Sequence, residues 1–303
     1  MSNDAAFMAL FHEAQIDRFA VAPKIELSMF ILKSDGGAFD YTNLYRQLGN
    51  ASIAYVLSRH QVAGVTPGTT HEVVKSVQKS FRRAAVNSGE GGELLLYCFL
   101  ESHLKAPKIL SKMELKTASN DYVKGSDGLH LYEVTTGNYH LIFGESKMIG
   151  DSTEPKSSFR KAIVDSLDSI KEVESNGLLN EIQLIDSNLM KETFTGDKLS
   201  FLKQVLVPTG NNGPTKQTAF GIFIGFEIDM LGWPIIDMSA AEIEARIQLE
   251  VLEMVESRYE YLKEKIVDRG LAGYHFYLYA LPFAKNASSD IDLVRTSIIA
   301  EIS

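Results

Sequence analysis

Four side chains in the middle of this chain have the types and spacing for phosphate chemistry: Glu93, Asp127, Glu145 and Lys147. Asp127 lies in GSDGLHLYEV, and Glu145 and Lys147 lie in YHLIFGESK. Side chains two apart on a strand project from one face, so Glu145 and Lys147 share a side. Ser146 between them points away, but its backbone carbonyl can still turn toward a bound ion. Two carboxylates and a carbonyl are the hard oxygen ligands that Mg²⁺ takes, with Mn²⁺ as a substitute, and water completes the shell. Such an ion lowers the pKa of bound water and offsets charge gathering on a phosphodiester. A neighbouring ammonium orients that water and screens the phosphate.

The elements that must position these groups can be read from hydrophobic period and punctuation. GLHLYEVTT and YHLIFGESK read as two strands around a tight turn at Gly137-Asn138, a hairpin signal. A hairpin sets the start of its first strand beside the end of its second, so Asp127 and Glu145 should be neighbours. Upstream, Glu93–Leu104 reads as a strongly apolar helix stopped by Pro107. Glu90 and Glu93 share a face of it if both are helical. Glu93 is the preferred fourth acid and Glu90 the accessory one. KILSKMELK reads as a strand, and Pro155 opens a helix carrying Lys156, Arg160 and Lys161.

Elsewhere, Ile25–Lys33 reads as a strand, Asp40 as the cap of a helix carrying Leu44, Leu48 and Tyr55, and Thr70 as the cap of another. Asn87–Gly92 (NSGEGG) reads as a break and the best boundary. It divides the chain into an N-terminal α/β extension at 1–87, expected to dock a partner, and a catalytic domain at 88–303. Leu178–Met190 and Lys198–Val207 look helical, and Pro208–Lys216 reads as a mobile loop. TAFGIFIGFEI and GYHFYLYALPF read as buried strands, Ala240–Val267 as a long helix and Asp290–Ile302 as a closing helix. The fold expected is a mixed central sheet flanked by helices.

Other residues admit a plain structural role beside a functional one. His130, three after Asp127, is either accessory to the site or a hydrogen-bonded core histidine. Lys156, Arg160 and Lys161 are either phosphate contacts or a solvated basic face. A second E-x-K, Glu114–Lys116, has no aspartate beside it. The chain has no G-x-S-x-G or H-E-x-x-H, and GNNGPTK fails the phosphate-loop spacing.

The order helix glutamate, strand aspartate, then E-x-K on the next strand resembles the PD-(D/E)XK nuclease superfamily, here as GEGGELLLY, GSDGLH and FGESK. The resemblance covers roughly residues 88–175. It implies a restriction-endonuclease-like core, with Asp127, Glu145 and the Ser146 carbonyl on the metal, Lys147 on the water and Glu93 in support. Ser126 stands where the motif has proline. The whole chain resembles the HamA family, nuclease subunits of the bacterial Hachiman anti-phage system. That implies a DNA endonuclease or exonuclease held by a helicase subunit, HamB.

Charge is consistent with such a division of labour. The net charge of -9 argues against autonomous nucleic-acid binding, which usually shows a clustered basic face. Either nucleic acid is not the substrate or another subunit delivers it. The alternative from another class is a non-catalytic assembly or regulatory subunit with a degenerate nuclease-like fold. One cysteine, Cys98, excludes a disulfide framework and fits a reducing compartment. No apolar run reaches the roughly 18 residues that span a bilayer, so no membrane association and a cytoplasmic location are expected.

Overall fold

The computed structural model describes residues 4–14, 24–35, 37–81, 89–115, 125–150, 157–176, 178, 197–206 and 214–303. Seven strands form one mixed sheet. In chain order they are β1 (Phe11–Ala14), β2 (Ile25–Leu32), β5 (Lys108–Ser111), β6 (Gly128–Thr135), β7 (Asn138–Met148), β8 (Thr215–Asp229) and β9 (His275–Lys285). Two short strands, β3 (Ser34–Asp35) and β4 (Ala38–Phe39), pair separately. The sheet order is β1-β2-β9-β8-β7-β6-β5, parallel from β2 to β7 and antiparallel at both margins.

The parallel centre is covered on both faces, which is why β8 and β9 are almost continuously apolar. On one face lie helices α2 (Tyr41–Val56), α5 (Glu90–Ser102) and, at the C-terminus, α10 (Ile291–Ile302); on the other lie α7 (Ser157–Ser175) and α9 (Ala240–Asp268). Alternation assigns the sides. Phe99 of α5 stacks on Phe223 of β8, and Phe159 of α7 meets Phe226, three residues further along. The remaining helices are α1 (Asp4–Met8), α3 (Arg59–Ala63), α4 (Thr70–Ser80), α6 (Lys112–Leu115) and α8 (Asp197–Leu206).

Pro282 falls inside a central strand, a position where the missing N–H would normally break a ladder. The β2 pairing ends at Ala280, so the strand has one partner by the time Pro282 is reached.

Most expected elements are present. Asp40 caps α2 by accepting from the Asn43 backbone N–H at 3.1 Å. The hairpin turns at Thr136-Gly137, one residue earlier than expected, with Gly137 at φ +81°. Several details differ. Thr69 rather than Thr70 occupies the cap of α4 and makes no capping bond, because its hydroxyl is turned back to Thr66. Glu90–Gly92 is the first turn of α5, not a break: Glu93 N–H already bonds Gly89 C=O at 3.1 Å. KILSKMELK is strand only to Ser111; Ser111 Oγ then receives the Glu114 N–H at 3.3 Å and starts a short helix. Thr215 and Lys216 belong to β8 rather than to a loop. Residues 207–213, most of Leu178–Met190, and Pro155 and Lys156 lie outside the described residues.

Residues on the two sides of the expected 87/88 boundary share one sheet and one core. β2 pairs with β9, and α2 packs on α5. β1 was not legible at all: FHEA is short and partly polar.

Candidate active site

Asp127 stands immediately before β6, and Glu145 and Lys147 stand near the end of β7. Leu129 lies opposite Phe143, so two residues on the register sets Asp127 opposite Glu145. The Asp127 N–H donates to Gly144 C=O at 2.8 Å and keeps that register up to the strand end.

Beyond Asp127 the edge of β7 has lost its β6 partner, and the aspartate side chain takes over the ladder. Asp127 Oδ2 accepts from the Ser146 N–H at 2.8 Å and from Ser146 Oγ at 2.9 Å. Ser146 therefore does not simply point away from the acids. Its side chain lies on the α5 face, where a Cβ on Gly92 would come within 3.3 Å of its Oγ. A strand residue's N–H and C=O point to the same edge, so the Ser146 carbonyl also faces the Asp127 side.

Glu145 and Lys147 project from the opposite face, toward α7, and their side chains meet at 2.5 Å. Ser169 of α7 stands near the Glu145 carboxylate and favours its charged form. Burial first, and the negative charge of Asp127 second, push the Glu145 pKa up to about 7, against the pull of Lys147 and Ser169. Burial opposes the charge on Lys147, but the Glu145 and Asp127 carboxylates outweigh it and raise its pKa.

Glu93, in the first turn of α5, reaches the same corner. Its Oε2 accepts from Tyr55 OH at 3.0 Å, and its Oε1 lies 3.6 Å from Lys112 Nζ. That ammonium also lies 3.3 Å from Asp127 Oδ1. Burial disfavours the Lys112 charge, yet Asp127 and Glu93 outweigh it and raise the pKa. For the Tyr55 hydroxyl, burial comes first and the Glu93 and Asp127 charges second, all raising its pKa well above the ordinary phenol value. Helix α5 can approach β7 this closely because residue 144 is glycine; a Cβ there would meet Leu96 Cδ2 at 3.0 Å. A void of about 10 Å³, room for roughly one water, is lined by Tyr55, Glu93, Ser111, Asp127 and His130.

A model of the HamA family matches residues 7–297. The chain belongs to the HamA family. HamA is a Hachiman family, so the chain belongs to an anti-phage defence system. No curated protein matches it. Among the described residues of this HamA chain, no helix is long and apolar enough to cross a membrane.

The remaining expected residues fall at varying distance from the HamA corner. Glu90 is fully buried one turn before Glu93. His130 Nδ1 bonds Ala106 C=O at 2.8 Å, and burial lowers its pKa to about 4, so it is held as a neutral core histidine. Arg160 lies over the Tyr261 ring at 4.3 Å, and Lys161 pairs with Asp165. Lys161 also lines a cleft of about 340 Å³ at the carboxyl ends of β7, β8 and β9, with Glu227, Lys285 and Arg295. Arg295 Nη1 donates to Met148 C=O at 2.7 Å and pins the chain just after Lys147. Glu114, from the second E-x-K, is a structural acid: it pairs with Lys108, whose ammonium also donates to Ala54, Tyr55 and Leu57 carbonyls at 2.8, 3.0 and 3.1 Å.

Sequence reasoning missed Tyr55 and Lys112. In the sequence Tyr55 reads only as an apolar residue of its helix, and Lys112 as part of a strand.

The donor set suits a hard divalent cation: three buried carboxylates and a carbonyl at one strand end. The donors are not drawn to one point; among the described residues, no three His, Cys, Asp or Glu side chains form a group that could hold a metal ion. Lys112 stands between Glu93 and Asp127, and Lys147 stands against Glu145.

Proposed function

We propose that this chain is a divalent-metal-dependent nuclease that hydrolyses DNA phosphodiester bonds as the effector subunit of its defence complex. The observation that supports this reading is that Glu93, Asp127, Glu145, Ser146 and Lys147 all stand around the strand end where β6 stops short of β7. Asp127, Glu145 and the Ser146 carbonyl would hold Mg²⁺, or Mn²⁺, with Glu93 in support. When bound, the ion supplies an acidified water and a counter-charge for the phosphodiester.

The protein's own groups do the rest. Lys147, part-exposed on the α7 side, orients the attacking water and takes up negative charge at the phosphate. Ser146 holds the Asp127 carboxylate by two donors, so the orientation of that one acid is fixed from the strand itself. Tyr55 fixes Glu93 in the same way from α2. With a net charge of -9, the chain needs a partner to bring an anionic polymer to this corner. A helicase subunit, HamB, fits that need, and the complex would act in the cytoplasm. Lys161 and Arg160 are candidates for flanking phosphate contacts.

The test is DNA degradation by the assembled complex carrying Glu145→Ala and Lys147→Ala together. Cleavage should fall to background while the circular dichroism spectrum is kept. Undiminished cleavage by the folded double variant sinks the assignment.

One observation favours a second reading. The Glu93–Asp127 pair already carries the Lys112 ammonium and Glu145 carries that of Lys147, and the donors do not converge. A non-catalytic assembly subunit with a degenerate nuclease-like fold would look the same. Calorimetric titration separates the two. Saturable Mg²⁺ or Mn²⁺ binding that is lost in Asp127→Ala belongs to the enzyme; no binding belongs to the scaffold.

A further inference from the structure

We propose that Lys112 is a built-in cation of this site, competing with the divalent ion for Asp127 and Glu93 and so setting how tightly that ion binds. This inference rests on the metal-dependent reading above and adds a residue to it.

The geometry is specific. Lys112 Nζ lies 3.3 Å from Asp127 Oδ1 and 3.6 Å from Glu93 Oε1. Each acid turns its other oxygen to neutral donors: Asp127 Oδ2 to the Ser146 N–H and hydroxyl, Glu93 Oε2 to Tyr55 OH. The two oxygens aimed at Lys112 are thus the ones a bridging cation would also use. An ammonium and a divalent ion cannot both sit between the same two oxygens.

Lys112 is delivered to this position by its backbone. Its N–H donates to Asp127 C=O at 3.1 Å, and the preceding Ser111 pairs with Gly128. Both ends of the residue are therefore tied to Asp127, one through the main chain and one through the ammonium. The base of the side chain is fixed, while its four-carbon stem can swing the ammonium clear. Lys147 cannot play this part. It pairs with Glu145 on the opposite face of the sheet.

Removing the ammonium takes away the cation that now stands between the two carboxylate oxygens. Replacing it with a guanidinium supplies a planar fork that can hold both acids at once. The two substitutions should therefore move metal affinity in opposite directions. A lysine that merely stabilises the fold would not produce that pattern.

The experiment is Mn²⁺ binding to the full chain without nucleic acid, followed by the electron paramagnetic resonance of free Mn²⁺. Wild type, Lys112→Met, Lys112→Arg and Asp127→Asn are compared. Lys112→Met should bind Mn²⁺ at least about fivefold more tightly than wild type, corresponding to about 1 kcal/mol, and Lys112→Arg should bind less tightly. Saturable wild-type binding that is lost in Asp127→Asn but unchanged or weaker in Lys112→Met overturns the role of Lys112 and leaves the metal reading standing. No saturable binding in wild type or Lys112→Met overturns both.

The wild-type chain provides a second measurement should the variants fail to fold. Amine acetylation read by mass spectrometry should rise at Lys112 when Mn²⁺ is added, while the buried Lys108 stays constant. Unchanged Lys112 labelling at saturating Mn²⁺ overturns the proposal.

Discussion

The Asp127 carboxylate replaces a strand: it accepts the Ser146 backbone N–H at 2.8 Å and the Ser146 hydroxyl at 2.9 Å where β6 has not yet begun. One side chain therefore both closes the sheet edge and presents an acid at it. Asp127→Ala should lose the proposed metal-dependent cleavage and also stability. Hydrogen bonds to a charged acceptor contribute about 1.5–3 kcal/mol each, and Lys112 loses its contact with Asp127 while keeping the one with Glu93. Ser146→Ala removes only the hydroxyl bond, so chemical denaturation should show about 1.5–3 kcal/mol for it and clearly more for Asp127→Ala.

Glu145 should make the protein's stability pH-dependent. Its pKa in the fold is near 7, raised by burial and by Asp127 from an ordinary 4.5. A carboxyl whose folded pKa is raised stabilises the fold fully below its unfolded pKa and loses that contribution as pH rises through the folded one. Stability should therefore fall between about pH 4.5 and 7, by up to about 3 kcal/mol at 1.36 kcal/mol per unit. Glu145→Gln should flatten that part of the profile and melt higher than wild type at pH 8. An unchanged slope between the two proteins contradicts the burial of this acid.

Tyr55→Phe should act on Glu93 alone. The hydroxyl's bond to Glu93 Oε2 is buried, so its loss costs about 1.5–3 kcal/mol of stability. The proposed activity should drop by about an order of magnitude rather than vanish, because Glu93 keeps its contact with Lys112. Cleavage rates at saturating metal, compared with those of Glu93→Ala, check the ranking.

The second E-x-K supplies the contrast. Glu114→Gln breaks a buried ion pair whose lysine also caps the last carbonyls of α2, so a loss of about 3–5 kcal/mol is expected. Any fall in cleavage should track the unfolded fraction, and at a temperature where the variant is folded its rate per molecule should match wild type. A specific catalytic defect in folded Glu114→Gln would count against the assignment of chemistry to Glu145.

Glu145 and Lys147 were legible because strand period and a glycine turn are local properties, and a hairpin converts them into a spatial relation. Glu93 was legible through the apolar run behind it. Lys112 was not: the reading KILSKMELK made it one alternating strand residue among several, and only the Ser111 turn takes it out of the strand to face Asp127. Tyr55 was not legible because its meaning lies 38 residues away, in a helix pair that no local pattern reports. The same applies to β1 and β2, which looked like part of an extension because their partner β9 lies some 250 residues downstream. Ser146 was read by alternation alone, which gives the face of its side chain but not the aspartate that wraps round the strand end to meet it.

The pairing of β2 with β9 also bears on when this site can exist during synthesis. Ile25 must wait for Phe276, so the sheet cannot close until the segment carrying Phe276 has left the ribosome. Arg295, which pins the strand just after Lys147, emerges later still. A truncated translation product would carry every acid of the candidate site and lack the frame that holds them. Under the nuclease activity proposed above, that order keeps nascent and prematurely ended chains inactive, because they carry the acids without an assembled site.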